Sequence, residues 1–481
     1  MLPLDTEAEE IDLIQTFLVS FAGTLAALLV LSVFTRPIIK MLVARTTKLL
    51  MSEPYHRNVM EMVTAITRMT PIIVMENSLR AETGGIIKRP FGSYRKFLGF
   101  DGLMFSPAQL SKLPAEDIAK IDTRVVIGPR AAKPLVIDIP ILLGAIGYGV
   151  AVSEKFKVAV AKGAAAMGTA SNVGEGAFLP EEREAAKHLI IQYIKSSWNK
   201  SQHILKQADA VEIHLAQGAT ASVPIHIPAE DVQGRARELL GLAPGEDGYT
   251  PSRHKEMQKP EDLKSMVESL RKLTKGVPIG VKLAASHRIE EDLEIAVQSG
   301  VDFISLDGSR AGTKGGPPIL EDDFGLPSVY GISRAAKFLR DKGVKDQISL
   351  LAGGGFFTPG DCLKAIALGA DAVYMATAPI WAMTHTQVVK TLPFEPPTNL
   401  VMYTGPQADE LDEEEAAYYL RNFLKSCTEE IKLAVLALGK TAVRNVDAGD
   451  LVALDEWTSQ VTGIPLAYQP NTKQAADESR H

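Results

Sequence analysis

Cysteine is nearly absent: Cys362 and Cys427 are the only two in 481 residues, which excludes a disulfide scaffold and any iron–sulfur or zinc site built from thiolates alone. So few thiols suit a reducing compartment. The nine histidines show no metal-ligand spacing and no His-Glu-x-x-His occurs, so no metal is assigned. Positive charge is not in excess either: 51 Lys and Arg against 58 Asp and Glu leave a net charge of −7, without the basic stripe that phosphate neutralisation requires. Nucleic acid is therefore not an expected partner. What remains is a globular composition, 46% hydrophobic and 23% charged, in a chain too long for one compact core. One large domain with appendages is expected.

Charge is missing altogether from Leu13 to Thr35, "LIQTFLVSFAGTLAALLVLSVFT". As a helix this stretch rises roughly 35 Å, enough to cross a bilayer core. A cleaved signal peptide or a buried helix is the alternative. Against it stand the acidic residues in front (Asp5, Glu7, Glu9, Glu10, Asp12), the length of the run and the lack of a small-residue cleavage site after it. Arg36, Lys40, Arg45 and Lys48 follow, so the positive-inside rule puts the rest of the chain in the cytoplasm, as a single-pass membrane protein. The expected organisation is an anchor over 1–50, an irregular Pro-, Gly- and aromatic-rich collar over 51–124, a main domain over 125–404 and a helical C-terminal extension over 405–481 with a polar, frayed end. The extension's helices are expected to pack on the main domain or on a neighbouring copy.

From Val125 short β-branched runs alternate with helix-length segments: "PLVIDIPILLGAI", "AMGTAS", "DAVEIHL", "PIGVKL", "DFISL", "QISLLAG" and "DAVYMAT". Runs of this buried type separated by helices argue for parallel βα units, and their span suits a (β/α)8 TIM barrel of class α/β with one strand still to be found. A doubly wound open sheet is the alternative, but no Gly-x-Gly-x-x-Gly opens its first helix.

In such a barrel the loops after the last two strands form a phosphate site. Gly353, Gly354 and Gly355 fit the first loop, and Ala376 and Thr377 end the next strand. A plain tight turn would also use these glycines. Gly144 and Ala145, in "GAIGYG", let a flat ring approach the first strand's end. Asn172 and Glu175 follow the second strand, His214 and Gln217 end the third, and Lys282 lies in the fourth. A lysine in an apolar strand is costly unless it meets an anion, and the N1–C2=O edge of a reduced flavin is one that would explain it. Glu175 reads either as a solvated loop carboxylate or as a pocket acid, His214 either as a satisfied core histidine or as a site residue, and Asp307 as structural or as an acceptor near the flavin.

These strings, together with "IKRPFG", "MGTASNVGEG", "LAQGA", "DGSRAGT", "LLAGGGFFTPGDCLKAIALGADAV" and "LVALDEWTSQVTGIPLA", resemble the FMN-binding domain of glutamate synthase, and in particular its stand-alone, shorter relatives. The resemblance implies FMN, with its phosphate at Gly353, Gly354, Gly355, Ala376 and Thr377 and its ring over Gly144, Ala145, Asn172, Gln217, Lys282 and Asp307. It implies hydride transfer between flavin N5 and the C–N bond of an amino or imino acid, with Glu175, Gln217 and Lys282 as the catalytic residues.

The sequence also departs from the family. Where larger members carry three cysteines after the last barrel strand, this chain has His385, Thr391 and Pro396, so no iron–sulfur cluster is expected. His214 stands in place of a lysine, and Thr220-Ala-Ser-Val-Pro-Ile replaces a Lys-Pro-Gly loop; losing these cations weakens the case for a dicarboxylate substrate. Arg310 and Lys314, in "DGSRAGTKGG", are candidate substrate cations that would replace them. Without a cluster the flavin would exchange electrons with a diffusible molecule, a membrane quinone or a docked protein. A non-catalytic flavin-binding subunit of a membrane complex is the alternative to an enzyme.

Overall fold

The computed structural model describes residues 5–393 and 396–469, with side chains over 15–393 and 397–469. The acidic side chains before the apolar run, the Pro396 side chain and the tail beyond 469 lie outside the described residues. The chain divides into two compact units, 1–87 and 88–481.

In the first unit one helix, Asp5–Ser52, continues well past the expected end at Thr35 and carries Pro37 inside it. Its segment from Gln15 has a window of mean hydropathy 2.4 and is the one helix among the described residues long and apolar enough to cross a membrane. Phe17, Leu29, Val33 and Phe34 are each more than half exposed. Helices Glu61–Arg68 and Pro71–Thr83 follow, so this part of the collar is more regular than its sequence suggests. Pro71 starts the second where its missing N–H costs nothing, and Gly84 ends it at φ 63°.

The second unit is an eight-stranded parallel barrel. Its strands are β1 (Ile141–Leu143), β2 (Ala170–Asn172), β3 (His188–Tyr193), β4 (Ala210–His214), β5 (Ile279–Ala284), β6 (Phe303–Asp307), β7 (Ser349–Gly353) and β8 (Ala372–Met375). Hydrogen bonding runs β1-β8-β7-β6-β5-β4-β3-β2, and a parallel bridge between Ala145 and Asn172 joins the two ends. The missing strand is β3. Its residues sit in "EEREAAKHLIIQYIKSSWNK", where charges on both sides make the apolar run read as part of an amphipathic helix. His214 therefore ends the fourth strand rather than the third, and Lys282 lies in the fifth rather than the fourth.

The barrel interior is filled by side chains. Phe303 takes space that only a glycine leaves opposite it, since a Cβ on Gly280 would stand 2.4 Å from its ring. An antiparallel hairpin, Val125–Ile127 with Leu135–Ile137, precedes β1, and its apolar side chains cluster with inward residues of β1, β2, β3 and β6. Outside, helix Glu413–Ala437 packs on helix Glu154–Ala166, closely enough that a Cβ on Gly163 would meet Leu420 at 2.7 Å. The C-terminal extension is not wholly helical: Leu451–Ala453 pairs antiparallel with Leu103–Phe105, tying the tail to the collar.

Candidate active site

The C-terminal ends of the strands surround a cleft. On one side β7 runs into Gly354 (φ 97°) and Gly355 (φ 83°), a backbone path that L side chains rarely adopt. Ser328 Oγ donates to the Gly354 carbonyl and so fixes the turn from outside. The next helix, Pro359–Leu368, starts from a capping box in which Thr358 Oγ1 accepts from the Asp361 amide at 3.1 Å and Asp361 returns the bond to the Thr358 amide at 3.2 Å. Helix Thr377–Thr384 begins beside the same turn, so its first amides add donors there. Arg310 reaches over from the loop after β6. Its guanidinium lies 5.2 Å from the centre of the Phe357 ring, and its Nε is buried with no hydrogen-bond partner. Glycine amides, a helix N-terminus and an unpaired guanidinium around one space form a cradle for a phosphate.

Opposite the cradle, Lys282 Nζ lies 3.2 Å from Asp307 Oδ2. Burial opposes its charge, but Asp307 and Glu212 more than offset this and hold the ammonium above its ordinary range. Burial pushes the Asp307 carboxyl upward while the ammonium beside it pulls it back. Glu212 is fully buried in β4 and its carboxylate is well supplied with donors: Gln192 Nε2 at 2.7 Å, Asn172 Nδ2 at 3.1 Å, Tyr374 OH at 3.4 Å and the Ser305 hydroxyl. Gly144, Ala145, Gln217 and Ala376 complete the cleft wall.

A third cluster gathers at the ends of β2, β3 and β4. Glu175 Oε1 stands 3.2 Å from His214 Nδ1. Burial pushes the Glu175 carboxyl above the usual carboxylate range, with the Lys195 and Lys282 charges opposing the rise. Burial, reinforced by Lys195 and Lys282, drives His214 far below its ordinary value, so its ring is neutral at pH 7. Both ring nitrogens are buried without a partner in hydrogen-bonding geometry, although the Gln217 amide lies beside the ring. His254 Nε2 meets the His214 carbonyl at 3.0 Å and braces the strand end from behind.

Residues 95–441, which include the whole barrel and every residue of this cleft, match the conserved region in glutamate synthase. The chain belongs to the glutamate synthase family. A glutamate synthase large subunit-like protein of Rhizobium meliloti is 32% identical over 406 residues, which cover 80% of this chain and 91% of that one. An archaeal-type NADPH glutamate synthase of Thermotoga neapolitana is 28% identical over 415 residues, covering 81% and 82%. Among solved structures, a mandelate oxidase with an FMN adduct is similar over 72% of this chain and 86% of its own, at 17% identity and a TM-score of 0.45.

Within this glutamate synthase frame the structure sorts the residues singled out from the sequence. Gly144, Ala145, Gln217, Lys282, Asp307, Gly353, Gly354, Gly355, Ala376 and Thr377 all line one cleft. Asn172 does not: it is fully buried, its amide donates to Glu212 and its Oδ1 accepts from Gly174 at 3.0 Å, so it shapes the barrel mouth from inside. Arg310, offered as a substrate cation, lines the same cleft and packs against Gly355, where an added Cβ would stand 2.9 Å from its own. The sequence reading missed Glu212 and Lys195. Glu212 alternates with His214 on β4 and was legible as a charge in an apolar strand. Lys195 follows β3 and was hidden with it.

Proposed function

We propose that the chain is an FMN-dependent oxidoreductase that acts on the C–N bond of an amino or imino acid. The observation that carries this reading is one continuous cleft that runs from Gly354, Gly355 and Arg310 to Lys282, Gln217 and Ala145. The unpartnered Arg310 Nε and the glycine path that a Cβ would block fit the phosphate of FMN. Bound there, FMN supplies a two-electron carrier for hydride exchange with carbon. Lys282, fixed by Asp307, puts a positive charge on the cleft wall where negative charge gathers on reduction. Glu175 takes a hydrogen bond from the substrate nitrogen, and Gln217 flanks it. The neutral His214 ring leaves that carboxylate's charge available to the substrate.

In the same reading the Asp5–Ser52 helix crosses the bilayer once, the barrel is cytoplasmic, and electrons pass to a membrane quinone or a docked protein without an iron–sulfur cluster. The test is direct. Denaturing purified protein should release a dye that migrates as FMN, and the intact yellow protein should bleach anaerobically with an amino acid. A colourless protein, or one that releases FAD, overturns the flavin assignment. Stopped-flow mixing of the reduced protein with a water-soluble quinone and, separately, with NAD(P)+ identifies the electron partner; reoxidation by nicotinamide alone ends the quinone reading.

A further inference from the structure

The second compact unit opens with a strap, residues 88–95, laid along the loop that follows β6. The Arg89 amide donates to the Gly316 carbonyl at 2.8 Å, the Gly316 amide returns the bond at 3.0 Å, and the Phe91 amide donates to the Thr313 carbonyl at 3.0 Å. Arg89 then fixes the far end of that loop. Its buried guanidinium grips Asp322 through two bonds of 2.9 Å and reaches Glu321 at 3.4 Å, and both carboxylates are buried with it. Ser93 Oγ donates to the same Asp322 at 2.6 Å, and Arg95 meets Asp323 at 2.6 Å. A bidentate pair closed off from water fixes a geometry in a way that a lone surface ion pair does not.

Between these ties the strap touches the cleft wall. Phe91 at φ 68° and Gly92 at φ 87° take a left-handed path, which is costly for a bulky residue and persists where the bonds around it hold it. The path brings the backbones so close that a Cβ on Gly92 would stand 3.1 Å from the Ala311 carbonyl oxygen and from Gly312 Cα, and one on Gly312 would stand 2.8 Å from the Phe91 carbonyl oxygen. The same loop also meets the glycine turn after β7, since a Cβ on Gly354 would stand 3.0 Å from the Ala311 nitrogen. Arg310, Ala311 and Gly312 all line the cleft, so the wall that carries Arg310 is held by the strap as well as by the turn. We infer that Arg89 is a positioning residue: through Asp322 it sets the loop over 310–316, and with it the Arg310 guanidinium that meets the flavin phosphate. The inference rests on the proposed function, because the phosphate so met is that of FMN. Arg89 is itself engaged by two carboxylates, so it acts through Arg310 and does not read the phosphate directly.

The test titrates full-length protein, stripped of its flavin, with FMN and with riboflavin. Wild type should prefer FMN. Arg89→Met should lose about 10-fold in FMN affinity and leave riboflavin binding unchanged, Arg89→Lys should recover part of the loss, and Arg89→Met added to Arg310→Gln should cost nothing further, because the one residue acts through the other. Gly92→Ala, which pushes a methyl group toward Ala311 and Gly312, gives the same reading where the Tm of Arg89→Met shows that it does not fold. If wild type prefers FMN and both variants keep that preference, the Arg89 assignment is wrong and the proposed function stands. Equal losses for the two flavins, or additive losses in the double variant, overturn it in the same way. A wild type that binds the two flavins alike, or neither, overturns the phosphate cradle instead. Hydrogen exchange then decides Arg89 without a flavin: the amides of 310–316 should exchange faster in Arg89→Met than in wild type while those of β6 do not, and unchanged exchange in that loop ends the inference.

Discussion

Lys282 and Asp307 form an ion pair across neighbouring strands: Ala284 of β5 is in register with Asp307 of β6, and the lysine leans forward by one pleat to bring Nζ within 3.2 Å of Oδ2. The carboxylate also sets the shape of the turn behind it, because a Cβ on Gly353 would stand 2.1 Å from Asp307 Oδ1. Lys282→Met leaves that carboxylate buried without its cation, which costs about 3–5 kcal/mol. Denaturant unfolding should show the loss, and Lys282→Met/Asp307→Asn should recover much of it. Flavin reduction should slow more than FMN binding weakens, since the cation acts chiefly on the reduced ring. Equal losses in both would remove Lys282 from the chemistry.

Arg310 makes a separable prediction. Arg310→Gln should weaken FMN binding by about 10- to 100-fold, the range of one or two charged hydrogen bonds, and leave riboflavin binding to the apoprotein unchanged. Fluorescence-quench titrations with the two flavins measure this. Parallel losses would mean that the guanidinium supports the loop through Phe357 and does not read the phosphate.

How much of this site the sequence disclosed follows from how each residue announces itself. The glycines before "FFTPGD" and the lysine in "PIGVKL" stand out because they break an apolar strand pattern, and the structure brings them to one cleft. Asn172 had the right position in the chain, but its side chain is drawn inward by Glu212, a contact between β2 and β4 that no local pattern shows. The strand β3 was lost because period-two and helical readings compete in a run bounded by charges, and Lys195 was lost with it. The pairing of Leu103–Phe105 with Leu451–Ala453 joins segments too far apart in sequence for any pattern to connect them.

Glu175 and His214 together dictate a pH profile. The Glu175 carboxyl is raised by burial, so the anion proposed to hold the substrate nitrogen is lost as pH falls through a value above the ordinary carboxylate pKa of about 4.3. Substrate affinity should therefore fall toward acid on that displaced limb, and Glu175→Gln should bind weakly at every pH with the limb gone. His214 is already neutral well below pH 6.5, so His214→Asn should leave the position of the limb unchanged to within the small effect of a neutral neighbour. A limb that disappears with His214→Asn and persists in Glu175→Gln would reverse the two assignments.

The buried pair of Lys157 and Glu182 is the structural counterpart to the site. Its 3.0 Å contact is closed off from solvent, and Lys157 also holds the carbonyl of Asn172 at the end of β2. Lys157→Met should cost about 3–5 kcal/mol by stranding Glu182, while Lys157→Met/Glu182→Leu should be close to neutral. Denaturation midpoints at constant m-value measure both. A double variant as unstable as the single one would show that the lysine's bond to Asn172, rather than the ion pair, holds β2 in place.

The N-terminal helix yields the last prediction. Phe17, Leu29, Val33 and Phe34 belong to a run with no charge between Leu13 and Thr35, and no side chain of the helix from Gln15 to Leu49 is buried. At about 25 cal/mol per Å2 of apolar surface, a helix of this kind left in water is strongly unfavourable, and a bilayer removes the cost. The full-length protein should sediment with membranes and stay there through a wash with about 1 M salt, because salt screens charges and leaves hydrophobic burial intact. Removing residues 1–87, the whole first compact unit, should release a soluble barrel that keeps its flavin, since every residue of the cleft lies beyond Lys88. Release of the full-length chain by salt alone would mean that the helix is held by a partner's charges and does not cross the bilayer. A truncated barrel that loses its flavin would show that the first unit supports the cleft as well as anchoring it.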